Sequence, residues 1–260
     1  MPDAYRFDEA VKEWSRLPVD DFDYVSVAEM MSMTLVQRKQ LLDWAWTMRR
    51  NRNSWRNRDG CLDRFMEEFP VEGKRVCDFG CGLGLDAAWF AIRGAEIVLA
   101  DISPLSVAMA NQVICTIAEV CAKQLVIVYE GAPWFFLREK VDLFWSLGCL
   151  HHTPNAGALL KRACEQLKLG GECRILVYSD RRWLRLMGEA IPGITEEVSR
   201  HPRFAEWVKK NDAVGNYADW YNEEKLQQLV KDFGEIKKCE YLSDGEFLAA
   251  VIQPMEWMHE

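Results

Sequence analysis

Three carboxylates and a pair of histidines stand where apolar stretches of this chain end, and their types suit a ligand rich in hydroxyl and amino groups. Asp78 lies two residues before Gly80 in Val76-Cys77-Asp78-Phe79-Gly80-Cys81-Gly82-Leu83-Gly84, Asp101 follows Ala95 to Ala100, and Glu130 follows Leu125 to Tyr129. An ionised carboxylate only accepts hydrogen bonds, so each can take an ammonium, a pair of ribose hydroxyls or an exocyclic amine. His151 and His152 come after the apolar run that begins at Val141. An imidazole, with an unperturbed pKa of about 6.5, could take the proton of an attacking hydroxyl or amine. The competing roles for the pair are to position the attacking molecule, which is the role expected here with His152 as the base if one acts, or to hydrogen-bond backbone and shape their loop.

These groups need elements to hold them. Gly80, Gly82 and Gly84 alternate, which leaves bare backbone whose N–H groups can face a ligand, and Leu85 to Ile92 has the apolar spacing of a helix packed on a sheet. From residue 75 strand and helix patterns alternate, which implies a mostly parallel sheet covered on both faces. Strands are expected over Ala95 to Ala100, Leu125 to Tyr129, from Val141, over Glu172 to Tyr178, Ile236 to Leu242 and Phe247 to Ile252, with helices over Asn155 to Lys168 and Asn222 to Phe233. Asp101 follows Gly80 at about the separation that lets an acid reach a ribose. Its alternative role, capping the helix that follows, is filled as well by Ser103 before Pro104.

Spacing separates two cofactors that use a strand, a glycine turn and a helix. A dinucleotide turn reads G-x-G-x-x-G, but the third position here is Leu85, and Asp78 would crowd a pyrophosphate. The pattern D-x-G-x-G-x-G resembles instead the first motif of the class I S-adenosylmethionine-dependent methyltransferases. Val141 to Asn155, ending His151-His152-Thr153-Pro154, resembles the fourth motif of their type 11, ubiquinone- and menaquinone-biosynthesis-like branch, and Leu169-Gly170-Gly171 matches its turn before the fifth strand. The resemblance covers residues 75 to 180 and not 1 to 70.

It implies an α/β fold, a doubly wound, mostly parallel seven-stranded Rossmann-like sheet with an antiparallel last strand, in which the final hairpin is set against the rest. It implies S-adenosylmethionine as cofactor and S-adenosylhomocysteine as product. The cofactor would be held by Asp78, Gly80, Cys81, Gly82, Gly84, Asp101, Ile102, Glu130, Gly131, Ser146 and Leu147, with Glu130 at the adenine amino group; Trp134 or Phe135 could cover the ring or simply pack in the core. The loop of His151 and His152 would pass the methyl group, and Tyr178, Trp183 and Trp220 would meet a small-molecule methyl acceptor. No Asn/Asp-Pro-Pro-aromatic tetrapeptide follows the fourth strand, which argues against methylation of nucleic-acid bases.

At 260 residues the chain suffices for one well-cored domain with an extension. Residues 1 to 70 read as a helical extension, with Phe7, Val11, Trp14 and Leu17 on one face, and 71 to 260 as the core. Residues 180 to 221, with Trp183, Phe204, Trp207 and Trp220, read as a helical insertion that completes a cap. Five arginines between Arg49 and Arg58, around Trp55, could grip phosphate or carboxylate or form a solvated helix end. A net charge of −8 argues against a general nucleic-acid binder. Without a long apolar run or a secretory head, a cytoplasmic protein with no membrane segment is expected. Nine cysteines without C-x-x-C pairs read as thiols, and four histidines lack acidic or cysteine companions at ligand spacing, so no metal is expected. Nothing in the sequence specifies an oligomeric state. Rival functions are an RNA or protein methyltransferase, a nicotinamide-dependent reductase, and a silent cofactor-binding protein.

Overall fold

The computed structural model describes residues 7–15, 26–54, 56–128, 137–189, 201–211 and 217–259. Leu17, Trp55, Glu130, Gly131, Trp134 and Phe135 lie outside the described residues. Seven strands, β1 (Arg75–Phe79), β2 (Glu96–Asp101), β3 (Gln124–Ile127), β4 (Val141–Leu147), β5 (Leu167–Tyr178), β6 (Gly234–Leu242) and β7 (Phe247–Pro254), form one sheet in the order β3-β2-β1-β4-β5-β7-β6. β1 pairs in parallel with β2 and β4, and β7 runs antiparallel to both β5 and β6. Within the final hairpin only β7 is therefore reversed, because β6 lies antiparallel to β7 and so runs with the other strands. The chain leaves β1 for β2 on one side and returns to β4 on the other, which opens a crevice at the carboxyl ends of β1 and β4.

Helices α1 (Phe7–Trp14), α2 (Val27–Ser32), α3 (Leu35–Arg49) and α4 (Cys61–Glu67) precede β1. α5 (Leu85–Ile92) and α6 (Pro104–Ile117) link the first three strands, α7 (Ala156–Glu165) joins β4 to β5, and α8 (Asp180–Met187), α9 (Phe204–Asn211) and α10 (Glu223–Val230) follow β5. Local chemistry sets several starts. Ser26 with Glu29 and Thr34 with Gln37 form reciprocal capping boxes on α2 and α3, and the Ser103 hydroxyl accepts the Ser106 amide at the head of α6.

Strand alternation divides the core between the two faces of the sheet. Val76, Leu99, Trp145 and Leu176 pack with Leu42, Phe65, Phe90 and Val113 on one face, while Cys77, Phe144 and Ile175 pack with Leu159 and Leu226 on the other. Helices α2, α3 and α4 thus share a core with the sheet through Met30, Leu42 and Phe65.

Two expectations need correction. α7 ends at Glu165 and β5 starts at Leu167, ahead of Glu172, because Leu167 pairs with Val141 and the ladder then slips so that Glu172 pairs with Leu143. The Gly170-Gly171 turn is absorbed as an irregularity inside one strand. Cys115 and Cys121 are joined in a disulfide, not left as thiols; Glu119, at a φ of 56°, turns the chain back and brings their Cα atoms to 5.0 Å.

Candidate active site

The glycine turn after β1 uses its amides internally. Gly80 N–H and Cys81 N–H both donate to the Ala100 carbonyl, at 2.7 and 3.2 Å, Gly84 N–H donates to Cys81, and Gly82 N–H donates to the Asp101 carboxylate at 3.1 Å. The expectation that these N–H groups face a ligand is thus not met at residues 80, 81, 82 and 84, so the loop offers no nest for phosphate. Gly80 has a φ of +74° and lies so close to Cys149, in the loop after β4, that a Cβ would overlap that side chain. Gly84 packs in the same way on Ala110, which brings α5 against α6. Cys81 is buried, and burial beside Asp101 and Asp78 holds its thiol well above the usual range.

Asp101 ends β2 with Oδ1 accepting the Ser103 amide at 2.8 Å and Oδ2 accepting Gly82. Each oxygen keeps a further lone pair, enough for two ribose hydroxyls. Burial raises its pKa, and the amides of Ser103 and Gly82 oppose that shift. Ser103 does fill the capping role, and Ile102 beside it is half-buried.

Asp78 is buried at the end of β1, and its Oδ2 has no hydrogen-bond partner. Burial and the neighbouring Asp86 carboxylate push its pKa well up, while Arg49 pulls it down. Asp86, in the first turn of α5, accepts Arg49 Nε at 2.9 Å and Nη2 at 2.5 Å on one oxygen and the Trp145 indole N–H at 3.0 Å on the other. Arg49 is consequently turned into the protein, yet its Nη1 is buried without an acceptor. An unmatched acceptor and an unmatched donor thus occupy one electrostatic neighbourhood, the complement of an α-amino acid with its ammonium and carboxylate. Sequence reasoning placed Arg49 only within a run that could grip phosphate or carboxylate, and it missed Asp86. Within the arginine run, Arg49 reaches Asp86 and Arg58 pairs with Asp244.

Beyond Ser146, whose buried hydroxyl is also unmatched, and the half-buried Leu147, a single helical turn carries Leu150–His152. His151 Nδ1 accepts the Tyr178 amide at 3.2 Å, and its ring lies 3.7 Å from that of Tyr178. Its Nε2 is buried and unmatched. Burial, then His152, Arg182 and Arg56, hold its pKa well below the ordinary value. His152 is oriented the other way, Nδ1 donating to the Tyr217 carbonyl at 2.8 Å. A neutral ring so held carries its lone pair on Nε2.

Aromatic side chains close over this turn. Trp14 at the end of α1 lies 4.9 Å from the His152 ring, and Ser15 donates to Ser103 at 3.0 Å, so α1 reaches from the end of β2 to the histidine loop. Tyr178, Trp183 and Trp207 are all buried, Trp183 stands 4.9 Å from Trp207, and Trp220 is buried with the Lys225 ammonium 4.3 Å above its ring.

Residues 48–234, well over half the chain, match the family model described as a methyltransferase domain. The chain belongs to the methyltransferase domain family. Over 172 residues this methyltransferase is 29% identical to the ubiquinone biosynthesis O-methyltransferase of Chelativorans sp., a match covering 65% of this chain and 61% of that protein. Its likeness to the Pseudomonas putida protein of the same name is also 29%, covering 64% and 69%. Among solved structures it is similar to magnesium protoporphyrin IX methyltransferase from Synechocystis with bound S-adenosylmethionine, with a TM-score of 0.50, 17% identity and coverage of 93% and 88%. A second is an S-adenosylmethionine-dependent methyltransferase from Clostridium acetobutylicum, with a TM-score of 0.55, 11% identity and coverage of 84% and 98%. The methyltransferase is of class I, and its cofactor is S-adenosylmethionine. The unmatched pair at Asp78 and Arg49, and a glycine loop with no phosphate nest, fit that cofactor.

Proposed function

We propose that this methyltransferase methylates an oxygen or nitrogen of a small, apolar or aromatic metabolite that can carry an acidic group, with a cap formed by residues 1–70 and 180–221 over the acceptor. When bound, S-adenosylmethionine supplies a sulfonium-activated methyl group for in-line displacement. Asp78 Oδ2 takes the ammonium of its amino-acid end, Arg49 Nη1 takes the carboxylate, and Asp101 takes the ribose diol. Glu130 and Gly131 are assigned to the adenine end by position in the sequence. What remains for the protein is alignment of the acceptor and exclusion of water.

The aromatic closure over the His151-His152 turn supports a small acceptor most directly. Trp14, Tyr178, Trp183 and Trp207 crowd the carboxyl end of β4 and β5, as suits an enclosed apolar pocket more than a groove for a polymer. Both ubiquinone biosynthesis O-methyltransferases carry names consistent with such an acceptor. An RNA or protein substrate would draw on the arginine run, but Arg49 and Arg58 are committed to carboxylates of this chain.

The test is transfer of radiolabelled methyl from S-adenosylmethionine to a panel of catechols and hydroxybenzoates, with bulk transfer RNA and a protein extract in parallel. Label in a small aromatic is expected. Label only in RNA or protein would replace this reading, and cofactor binding with no transfer to any of them would favour a silent binding protein.

A further inference from the structure

We infer that His151 presents its Nε2–H to an anionic oxygen of the methyl acceptor, a carboxylate or phenolate, and orients that oxygen without taking a proton from it. This rests on the small-molecule reading above.

The proton is located by the partner of the other nitrogen. The Tyr178 amide can only donate, so Nδ1 of His151 carries a lone pair and the proton of the neutral ring is on Nε2. That ring stays neutral, because it is buried and because His152, Arg182 and Arg56 all disfavour a second proton. Nε2–H is therefore a donor buried with no acceptor from the protein. The rings packed on His151, those of Tyr178 and His152 with centroids 3.7 and 4.2 Å from its own, supply it with no hydrogen-bond acceptor. A donor stripped of water without an acceptor is costly, and a ligand oxygen would relieve that cost.

The surrounding charge selects the kind of oxygen. Two guanidinium groups bear on the ring, those of Arg182 and Arg56. Nearby acids are already matched: Glu246 by Arg182 and Arg185, and Asp219 by Lys225. An acceptor oxygen that is itself ionised suits an N–H donor in such surroundings and leaves no proton for this histidine to remove.

The test uses protein loaded with S-adenosylhomocysteine and two probes of one shape, benzoate and benzamide, followed through the His151 imidazole signals in nitrogen-15 NMR. Nε2 is expected to be protonated, benzoate to shift that N–H and to bind roughly tenfold or more tighter than benzamide. His151→Gln, which keeps an N–H near the same place but cannot act as a base, should retain the preference within about threefold, and His151→Leu should lose it. Equal affinity for the two probes, binding of neither, or a bare Nε2 would overturn the inference. Failure of S-adenosylhomocysteine to bind in the first place would instead strike the cofactor reading beneath it. The wild-type NMR result stands even where His151→Leu does not fold.

Discussion

The backbone amide of Asp219 donates to the carbonyl of His151 at 2.7 Å, which ties the segment entering α10 to the turn that carries both histidines. Tyr217 adds the carbonyl that orients His152. Asp219 itself is anchored by Lys225 at 2.6 Å and by the Trp220 amide at 2.7 Å. The acceptor side of the site is thus held from a segment more than sixty residues along the chain, on the far side of β5.

Asp219→Ala should leave the Lys225 ammonium largely buried without its carboxylate and cost about 3 kcal/mol of stability. Urea unfolding measures this. Affinity for S-adenosylhomocysteine should stay within a few-fold in the same variant, since Asp219 lies on the acceptor side; a large loss of affinity would mean that the segment also shapes the cofactor site.

Arg49→Met should destabilise by about 3 kcal/mol or more, because it strands the Asp86 carboxylate in the core. The double variant Arg49→Met/Asp86→Leu should recover most of that stability while remaining roughly tenfold or more weaker for S-adenosylhomocysteine. Full recovery of affinity along with stability would show that Arg49 serves packing alone.

His151 predicts a pH dependence with a definite sign. Its folded pKa is depressed by burial, and by His152, Arg182 and Arg56, so below about pH 6.5 the unfolded chain binds a proton that the folded chain refuses. The contribution is fully present above that pH and is lost as pH falls, by up to about 1.4 kcal/mol per unit. Urea titrations from pH 7.5 down to 5 should therefore give a shallower acid loss for His151→Gln than for wild type. Equal slopes would contradict a buried neutral His151.

The strands from β1 to β4 were legible because each is an apolar run bounded by glycine or an acid, and buried parallel strands show little else. Contacts far along the sequence were not. Arg49 sits in a run of arginines that locally reads as a solvated helix end, and only Asp86, 37 residues on, turns it inward. The histidine pair was visible by residue type, but its proton positions depend on Tyr178 and Tyr217, which no local pattern reveals. The start of β5 was obscured because exposed Leu169 with Gly170-Gly171 has the composition of a turn, although the ladder with β4 runs on through the slip. At the glycine loop the spacing identified the right cofactor, yet the amides expected to face it are bound to Ala100, Cys81 and Asp101.

Titration calorimetry of S-adenosylhomocysteine into wild type and Asp101→Ala tests the central claim, that the cofactor lies across the carboxyl ends of β1 and β2 with its ribose on Asp101. Wild type should bind one equivalent and give no heat with NADH. Asp101→Ala, confirmed as folded by circular dichroism, should bind roughly tenfold or more weakly, given about 1.5–3 kcal/mol for each hydrogen bond to a charged group. Unchanged affinity in Asp101→Ala, or no binding to wild type, would contradict it.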